Sequence, residues 1–228
     1  MKVEVGDFIK ILLETFPPDP KELEPKDPIE LIIKFILAGQ NASEKVVNEA
    51  YKNLTSRFKS WEEVLNAPDW KVAEAIRVAG YSNKKTNYIK QFLRFVAKHN
   101  WDLSWIKDLD PKEAIEVLKQ IKGIPSRSIR YILAFSFDMP VFPVDPHIKR
   151  VIRRLGILGN NATEEMISEY FESIEGVPHK ELYLALKEHA NKICAARKPK
   201  CLMCPISDLC YSVSPSVEYL KGTRRIRL

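Results

Sequence analysis

All four cysteines of this 228-residue chain lie in one stretch, "CAARKPKCLMCPISDLC", running from Cys194 to Cys210. Any fold must bring those thiols around something. The N-terminal "MKVEVGDFIKILLETFPPDP" alternates charge with hydrophobes and has no continuous apolar stretch of the signal-peptide kind. No apolar run approaches the length of a membrane span. A cytoplasmic protein with no membrane partner is expected, and in a reducing compartment clustered cysteines point to metal rather than disulfides. The spacing is C-x6-C-x2-C-x5-C. Zinc ribbons use two C-x2-C knuckles well apart in sequence, and zinc is the competing metal. One knuckle flanked by single cysteines suits one cubane-like cluster held by four thiolates.

The rest of the chain reads as helix. "IELIIKFILAG" is a buried helix that stops at Gly39, and "SEKVVNEAYKNL" places Val46, Val47, Ala50 and Leu54 on one face. "DWKVAEAIRVAG" stops at Gly80 and is followed by "NKKTNYIKQFLRFVAKHN". "PKEAIEVLKQI" starts on Pro111, and its stripe is Ala114, Ile115, Leu118 and Ile121. "SRSIRYILAFSF" groups Ile129, Ile132 and Leu133, and "PHIKRVIRRLG" repeats Ile148, Val151, Ile152 and Leu155. "HKELYLALKEHANKIC" is the last long helix. "FPPDPKELEPKDP" is a proline-rich connector after the first helix. Strand signals are weak, so the fold class expected is all-α.

Charge is unevenly spread. The net +6 hides an acidic start, with eight acidic and four basic side chains over residues 1–31. Residues 122–154 carry seven basic side chains against Asp138 and Asp145, and residues 192–227 carry eight against Asp208 and Glu218. Two basic zones suit a polyanion, with nucleic acid as the first candidate; scattered solubilising charge is the plain alternative. On "HIKRVIRRLG", Lys149 pairs with Arg153 and Arg150 with Arg154 at i, i+4, opposite the apolar stripe. For Arg153 and Arg154 a solvated face is the expectation.

"EAIEVLKQIKGIPSRSIRYILAF" joins two striped helices through "KGIPS", too short for anything but a tight turn. Gly123 permits positive φ, and Pro125 fits the first position of the second helix. Amides at such a start favour an anion, which on DNA is a phosphate. A plain αα-hairpin with a glycine turn explains the same residues. In "VFPVDPHIKR", Asp145 before Pro146 reads as an N-cap. It is also the kind of fixed carboxylate that could stabilise an oxocarbenium-like sugar and activate water.

Together, the "IKGIPSRSI" hairpin between its helices, the "PVDPH" aspartate and the cysteine stretch resemble the helix-hairpin-helix DNA glycosylases of the endonuclease III type. The likeness runs from "LIIKFILAGQ" to Cys210. It implies two helical lobes with a DNA-binding cleft between them. One would be a six-helix barrel over 28–139, with the hairpin at about 111–136; the other, residues 1–27 plus 140–228, would hold the iron–sulfur cluster. It implies a [4Fe–4S] cluster on Cys194, Cys201, Cys204 and Cys210, whose loop offers Arg197, Lys198 and Lys200 to the DNA backbone. The partner implied is double-stranded DNA with a damaged or mismatched base, bound by a monomer. The catalytic carboxylate would be Asp145.

By the same resemblance, Gln40 with Asn41 in "AGQNAS" and Tyr81 in "VAGYSNKK" stand where side chains fill the gap left by a flipped base. Tyr81 packed on Gly80, and Gln40 ending a helix, are the structural alternatives. Bifunctional members place a lysine early in the second hairpin helix, where this chain has Arg127. A guanidinium stays protonated and cannot form a Schiff base, so a monofunctional glycosylase is expected. Pro125 also stands where a second glycine is usual, and Lys122 where proline is common. Phosphate anchoring is therefore expected to lean more on Lys122 and Ser126 and less on backbone amides; Gly123 stays in the DNA-binding set, and Arg127 contacts phosphate, shapes the base pocket or is a plain surface arginine. His147 touches phosphate or packs, and Lys149 joins the DNA-binding set. A bifunctional glycosylase/AP lyase, a non-catalytic lesion-binding protein and an iron–sulfur electron carrier are the competing readings. With so short a stretch after Cys210, the extra recognition domain of the adenine-removing branch is expected to be absent, and adenine removal is not expected. "AGQNAS" favours a mismatched or alkylated base over an oxidised pyrimidine.

Overall fold

Four helices of this protein begin on the same dipeptide. Asp19, Asp27, Asp110 and Asp145 each precede a proline at the first helical position. In every case the carboxylate accepts a backbone N–H of the first turn, while proline presents no N–H to be orphaned. The computed structural model describes residues 2–39, 42–215 and 218–219. In chain order the helices are α1 (Val5–Thr15), α2 (Pro20–Leu23), α3 (Pro28–Ala38), α4 (Glu44–Arg57), α5 (Trp61–Asn66), α6 (Asp69–Ala75), α7 (Ser82–Lys98), α8 (Pro111–Lys119), α9 (Ser126–Phe137), α10 (Pro146–Leu155), α11 (Glu164–Glu172) and α12 (His179–Lys192). Short 3-10 turns cover Arg77–Ala79, Ser104–Asp108, Cys201–Met203 and Ser207–Leu209. One parallel pair, Lys2–Val3 with Glu218–Tyr219, is the only β pairing among the described residues. The chain is all-α.

Two compact units divide it: residues 25–139, and residues 1–24 with 140–228. In the first, α3 is the central element. Its buried Ile32, Ile33, Ile36 and Leu37 meet α4, α7 and α9, where Leu54, Phe92, Leu93, Ile132 and Leu133 are also buried. Each such side chain contributes roughly 1.5–3 kcal/mol over its exposed state. α3 to α9 lie in this unit, seven helical segments rather than the six expected. The extra one, α5, has only six residues and buries Val64 alone, too short a stripe to read from periodicity. The helix expected to run to Gly80 ends at Ala75 and tightens into the 3-10 turn before that glycine.

In the second unit α12 packs against α1 and α10, and α10 against α11. The ring of Phe171 bridges Phe8 and Phe142, at centroid distances of 6.3 and 4.6 Å. The apolar stripe of α10, Ile148, Val151, Ile152 and Leu155, is fully inside, and Gly156 ends the helix in the left-handed region at φ 82°. Tyr211 sits where a Cβ on Gly156 would fall, 2.6 Å away, so glycine is needed there on two counts.

Candidate active site and metal centre

Asp145 differs from the three other Asp-Pro caps in two respects: they are exposed and accept one amide each, and it is half-buried and accepts two. Its Oδ1 accepts both His147 N–H at 2.8 Å and Ile148 N–H at 2.9 Å. Oδ2 has no partner among the described residues. One oxygen is therefore spent on the helix start and the other is free to act on a water or a sugar. Within the same unit His147 is exposed, with Nδ1 3.5 Å from the Arg150 guanidinium. Lys149 faces Glu164 at 3.7 Å, which takes up part of its charge.

The basic face of α10 is not solvated as the pattern suggested. The Arg154 guanidinium donates to Ala195 O at 2.8 Å, Ala196 O at 3.1 Å and Cys194 O at 3.4 Å, and its Nη1 lies 3.3 Å from Cys194 Sγ. Its own carbonyl accepts Ser212 N–H at 3.0 Å and Ser212 O–H at 2.9 Å, with Cys210 Sγ at 3.2 Å. Arg150 adds bonds to Cys194 O and Ala190 O, and Arg153 donates to Ala162 O at 2.8 Å. Periodicity shows which side of a helix is polar. It does not show that a loop forty residues away folds back to take the guanidinium.

The loop so gripped carries the four cysteines. They line one cavity of about 200 Å³ together with Val151, Leu155, Ile206 and His189. Among the described residues no three thiol, imidazole or carboxylate groups converge as a single ion would require. Four thiol side chains lining one cavity are the donor set of an iron–sulfur cluster. Burial first, and neighbouring thiols after it, push the Cys204 and Cys210 pKa values up. Iron among them would reverse that, since a coordinating thiol is deprotonated. His189 Nε2 stands 3.3 Å from Cys204 Sγ, and its buried Nδ1 has no partner. Burial and the Arg150 charge hold this imidazole's pKa down at about 4, so at neutral pH it is an uncharged neighbour of the sulfur. The residues fit an iron–sulfur cluster. Arg197, Lys198 and Lys200 on the loop are all exposed.

In the other unit the hairpin joins α8 to α9. Gly123 has φ 94°, and a Cβ there would meet the Tyr88 ring at 2.6 Å. Glycine is required for conformation and for the close approach of α7 alike. Pro125 sits one place earlier than expected, at the N-cap of α9 with ψ 135°, and Ser126 is the first helical residue. Proline has no side-chain acceptor, so no side chain caps the start of α9, where Ser128 N–H turns back to Pro125 O at 2.8 Å. Lys122, Ser126 and Arg127 around them are exposed, and neither Lys122 nor Arg127 has an ion-pair partner among the described residues. Tyr81, at the N-cap of α7, is 83% exposed and left-handed at φ 49°. A tyrosine held in that region is strained, and an exposed ring there is not packing on Gly80. Gln40 and Asn41 lie outside the described residues.

Sequence reasoning passed over two residues of this unit, Lys85 and Tyr88. Both look like ordinary surface positions of a long polar helix. Only their backbone neighbours in space distinguish them.

Residues 33–175 match the family of HhH-GPD superfamily base excision DNA repair proteins, and residues 194–210 match the iron–sulfur binding domain of endonuclease III. Endonuclease III of Sulfolobus acidocaldarius is 33% identical over 76% of this chain and 78% of its own. The structure of a trapped endonuclease III–DNA covalent intermediate overlays with a TM-score of 0.73 at 19% identity, covering 93% of this chain and 99% of that one. A thermostable thymine-DNA glycosylase overlays at 0.71 and 23% identity, covering 92% and 96%. The chain therefore belongs to the HhH-GPD superfamily of base excision DNA repair proteins, as an endonuclease III-like DNA glycosylase with a [4Fe–4S] cluster.

Proposed function

We propose that the protein is a monofunctional glycosylase that removes a damaged or mismatched base from duplex DNA, with Asp145 as its catalytic carboxylate. The observation that carries this is the division of labour on Asp145. Oδ1 is engaged by two amides, which fix the side chain, and Oδ2 has no partner among the described residues. In the step proposed, the C1′–N bond breaks and the base leaves with the electron pair. Oδ2 faces the developing positive sugar and takes a proton from the incoming water as the C1′–O bond forms. The products are a free base, which takes up a proton, and an abasic site.

Lyase chemistry needs an amine that can be deprotonated. The position early in α9 that bears that lysine in bifunctional relatives is Arg127, and no lysine occurs from 123 to 148. Arg127 and Lys122 then serve to hold phosphate. Tyr81 serves as the ring that enters the stack when the target nucleotide is flipped. The four cysteines serve as cluster ligands. When bound, the cluster supplies a fixed centre around which the basic loop is shaped.

The test is a panel of duplexes bearing uracil or thymine opposite guanine, an alkylated purine or an oxidised pyrimidine. Release of one class by the holoprotein, lost in Asp145→Asn with duplex binding retained, supports the reading. Parallel loss of binding would make Asp145 a cap alone. A borohydride-trapped covalent adduct would restore the bifunctional reading, with Lys122 or Lys149 as the amine.

A further inference from the structure

Lys85 is a buried cation of unit 25–139 that no part of the proposed chemistry uses. It lies one turn into α7, is 7% exposed, and has no carboxylate partner among the described residues. Its ammonium donates instead to two carbonyls, Leu37 O at 2.5 Å and Ala79 O at 2.7 Å. Each belongs to the last turn of a helix, α3 in one case and the 3-10 turn Arg77–Ala79 in the other. Helix C-termini leave carbonyls unpaired and carry partial negative charge. A single ammonium answers both.

Just past each carbonyl the chain enters one of the two gap-filling loops. After Leu37 and Ala38 comes Gly39, at φ 55°, ψ −129°, whose backbone passes over the Lys85 head: a Cβ there would lie 3.8 Å from Nζ. After Ala79 come Gly80 at φ 70° and Tyr81 at φ 49°, two successive residues of positive φ, and Tyr81 O accepts the Lys85 N–H. Strained backbone persists only where its surroundings over-determine it. We infer that Lys85 is a positioning residue that holds the Gly39 and Tyr81 backbones in one fixed relation, and so sets how the Tyr81 ring enters the helix when a base is flipped. It touches no reacting atom. The inference rests on the base flipping proposed for this protein.

Lys90 provides the control. It is also buried on α7, at 5% exposure, and bonds Ala67 O and Asp69, away from both loops. Lys85→Met and Lys90→Met holoproteins would be compared with wild type by hydrogen exchange over 37–42 and 78–84. They would also be compared by 2-aminopurine fluorescence next to a tetrahydrofuran abasic analogue in duplex DNA, and by single-turnover base release. Lys85→Met is expected to lose protection in both loops together, to lose most of the fluorescence rise, and to slow release at least tenfold with less than threefold change in duplex affinity. Lys90→Met should show none of these. Should Lys85→Met not fold, Lys85→Gln is read in its place: its amide is uncharged and one bond shorter, so it does not answer both carbonyls as the ammonium does. Unchanged exchange and fluorescence in the Lys85 variants, or equal changes in Lys90→Met, would overturn the inference. If wild type releases no base from any duplex, the proposed function fails, while exchange and fluorescence still decide the role of Lys85.

Discussion

Asp145 is a cap through one oxygen and a candidate base through the other, and amide substitution separates the two. Asparagine is as good an N-cap as aspartate. Asp145→Asn should therefore keep thermal stability within roughly 0.5 kcal/mol of wild type while base release falls by more than about a hundredfold. Asp145→Ala loses both roles and should cost a further ~1 kcal/mol in urea unfolding. Gly123 is the sharpest steric site. Gly123→Ala must adopt φ 94° and push the Tyr88 ring away from a 2.6 Å contact, and should destabilise by about 1–3 kcal/mol. Adding Tyr88→Ala removes the clash but not the dihedral, so stability should recover only in part in the double variant. His179 sets a pH dependence. Burial pushes its pKa down, with Phe171 O and the Glu172 and Glu181 carboxylates opposing. The unfolded chain then takes up a proton before the folded one. Stability from this residue is whole above the unfolded pKa of about 6.5 and declines as pH falls through it. In His179→Asn the melting temperature should fall less between about pH 7 and pH 5.5, where His179 of the wild type starts to titrate.

At the scale of the element, α10 carries both the carboxylate proposed for catalysis and the arginines that hold the cysteine loop. Asp145 caps its first turn, and Arg150 and Arg154 leave its last two turns for the cysteine loop. Arg154 binds both limbs of that loop, Cys194–Ala196 through its guanidinium and Cys210–Ser212 around its carbonyl. Arg154→Met keeps helix propensity and stem packing but forfeits the charged donors. Visible absorbance of the cluster should bleach several-fold faster under chelator in this variant, while the far-UV helix signal of the purified holoprotein stays unchanged at the outset. An equal bleaching rate would mean that the guanidinium bonds contribute nothing to cluster retention. α7 has the corresponding place in the other unit. Tyr81 stands at its N-cap, Lys85 one turn in bonds Leu37 O and Ala79 O, and Tyr88 in the next turn lies against Gly123 of the hairpin.

For the whole molecule, phosphate contact is the quantity to measure. Lys122 and Arg127 are exposed cations without ion-pair partners among the described residues. Neutralising both should lower the slope of log affinity against log salt by about 2, evenly across DNA sequences. Neutralising Lys149, already facing Glu164, should lower it by less. Much of the fold is legible in the chain because its signals are local. An Asp-Pro start, a four-residue stripe and a glycine stop each involve atoms within a turn or two of one another, and the cysteine spacing is a matter of counting. The same locality hides α5, too short to show a period, and the placement of Pro125 one residue early, within the blur of any helix end. The sequence alone determined an all-helical chain, a four-thiolate centre and a carboxylate set at a helix start. Tertiary structure decided what each charged helix face meets. Arg154 meets a cysteine loop, Lys85 two orphaned helix ends, Gly123 a tyrosine ring. Apart from Ala79, six residues from Lys85, those partners stand far away along the chain. A polar residue's helical phase reports the direction it points, and only folding puts a carbonyl, a sulfur or solvent there.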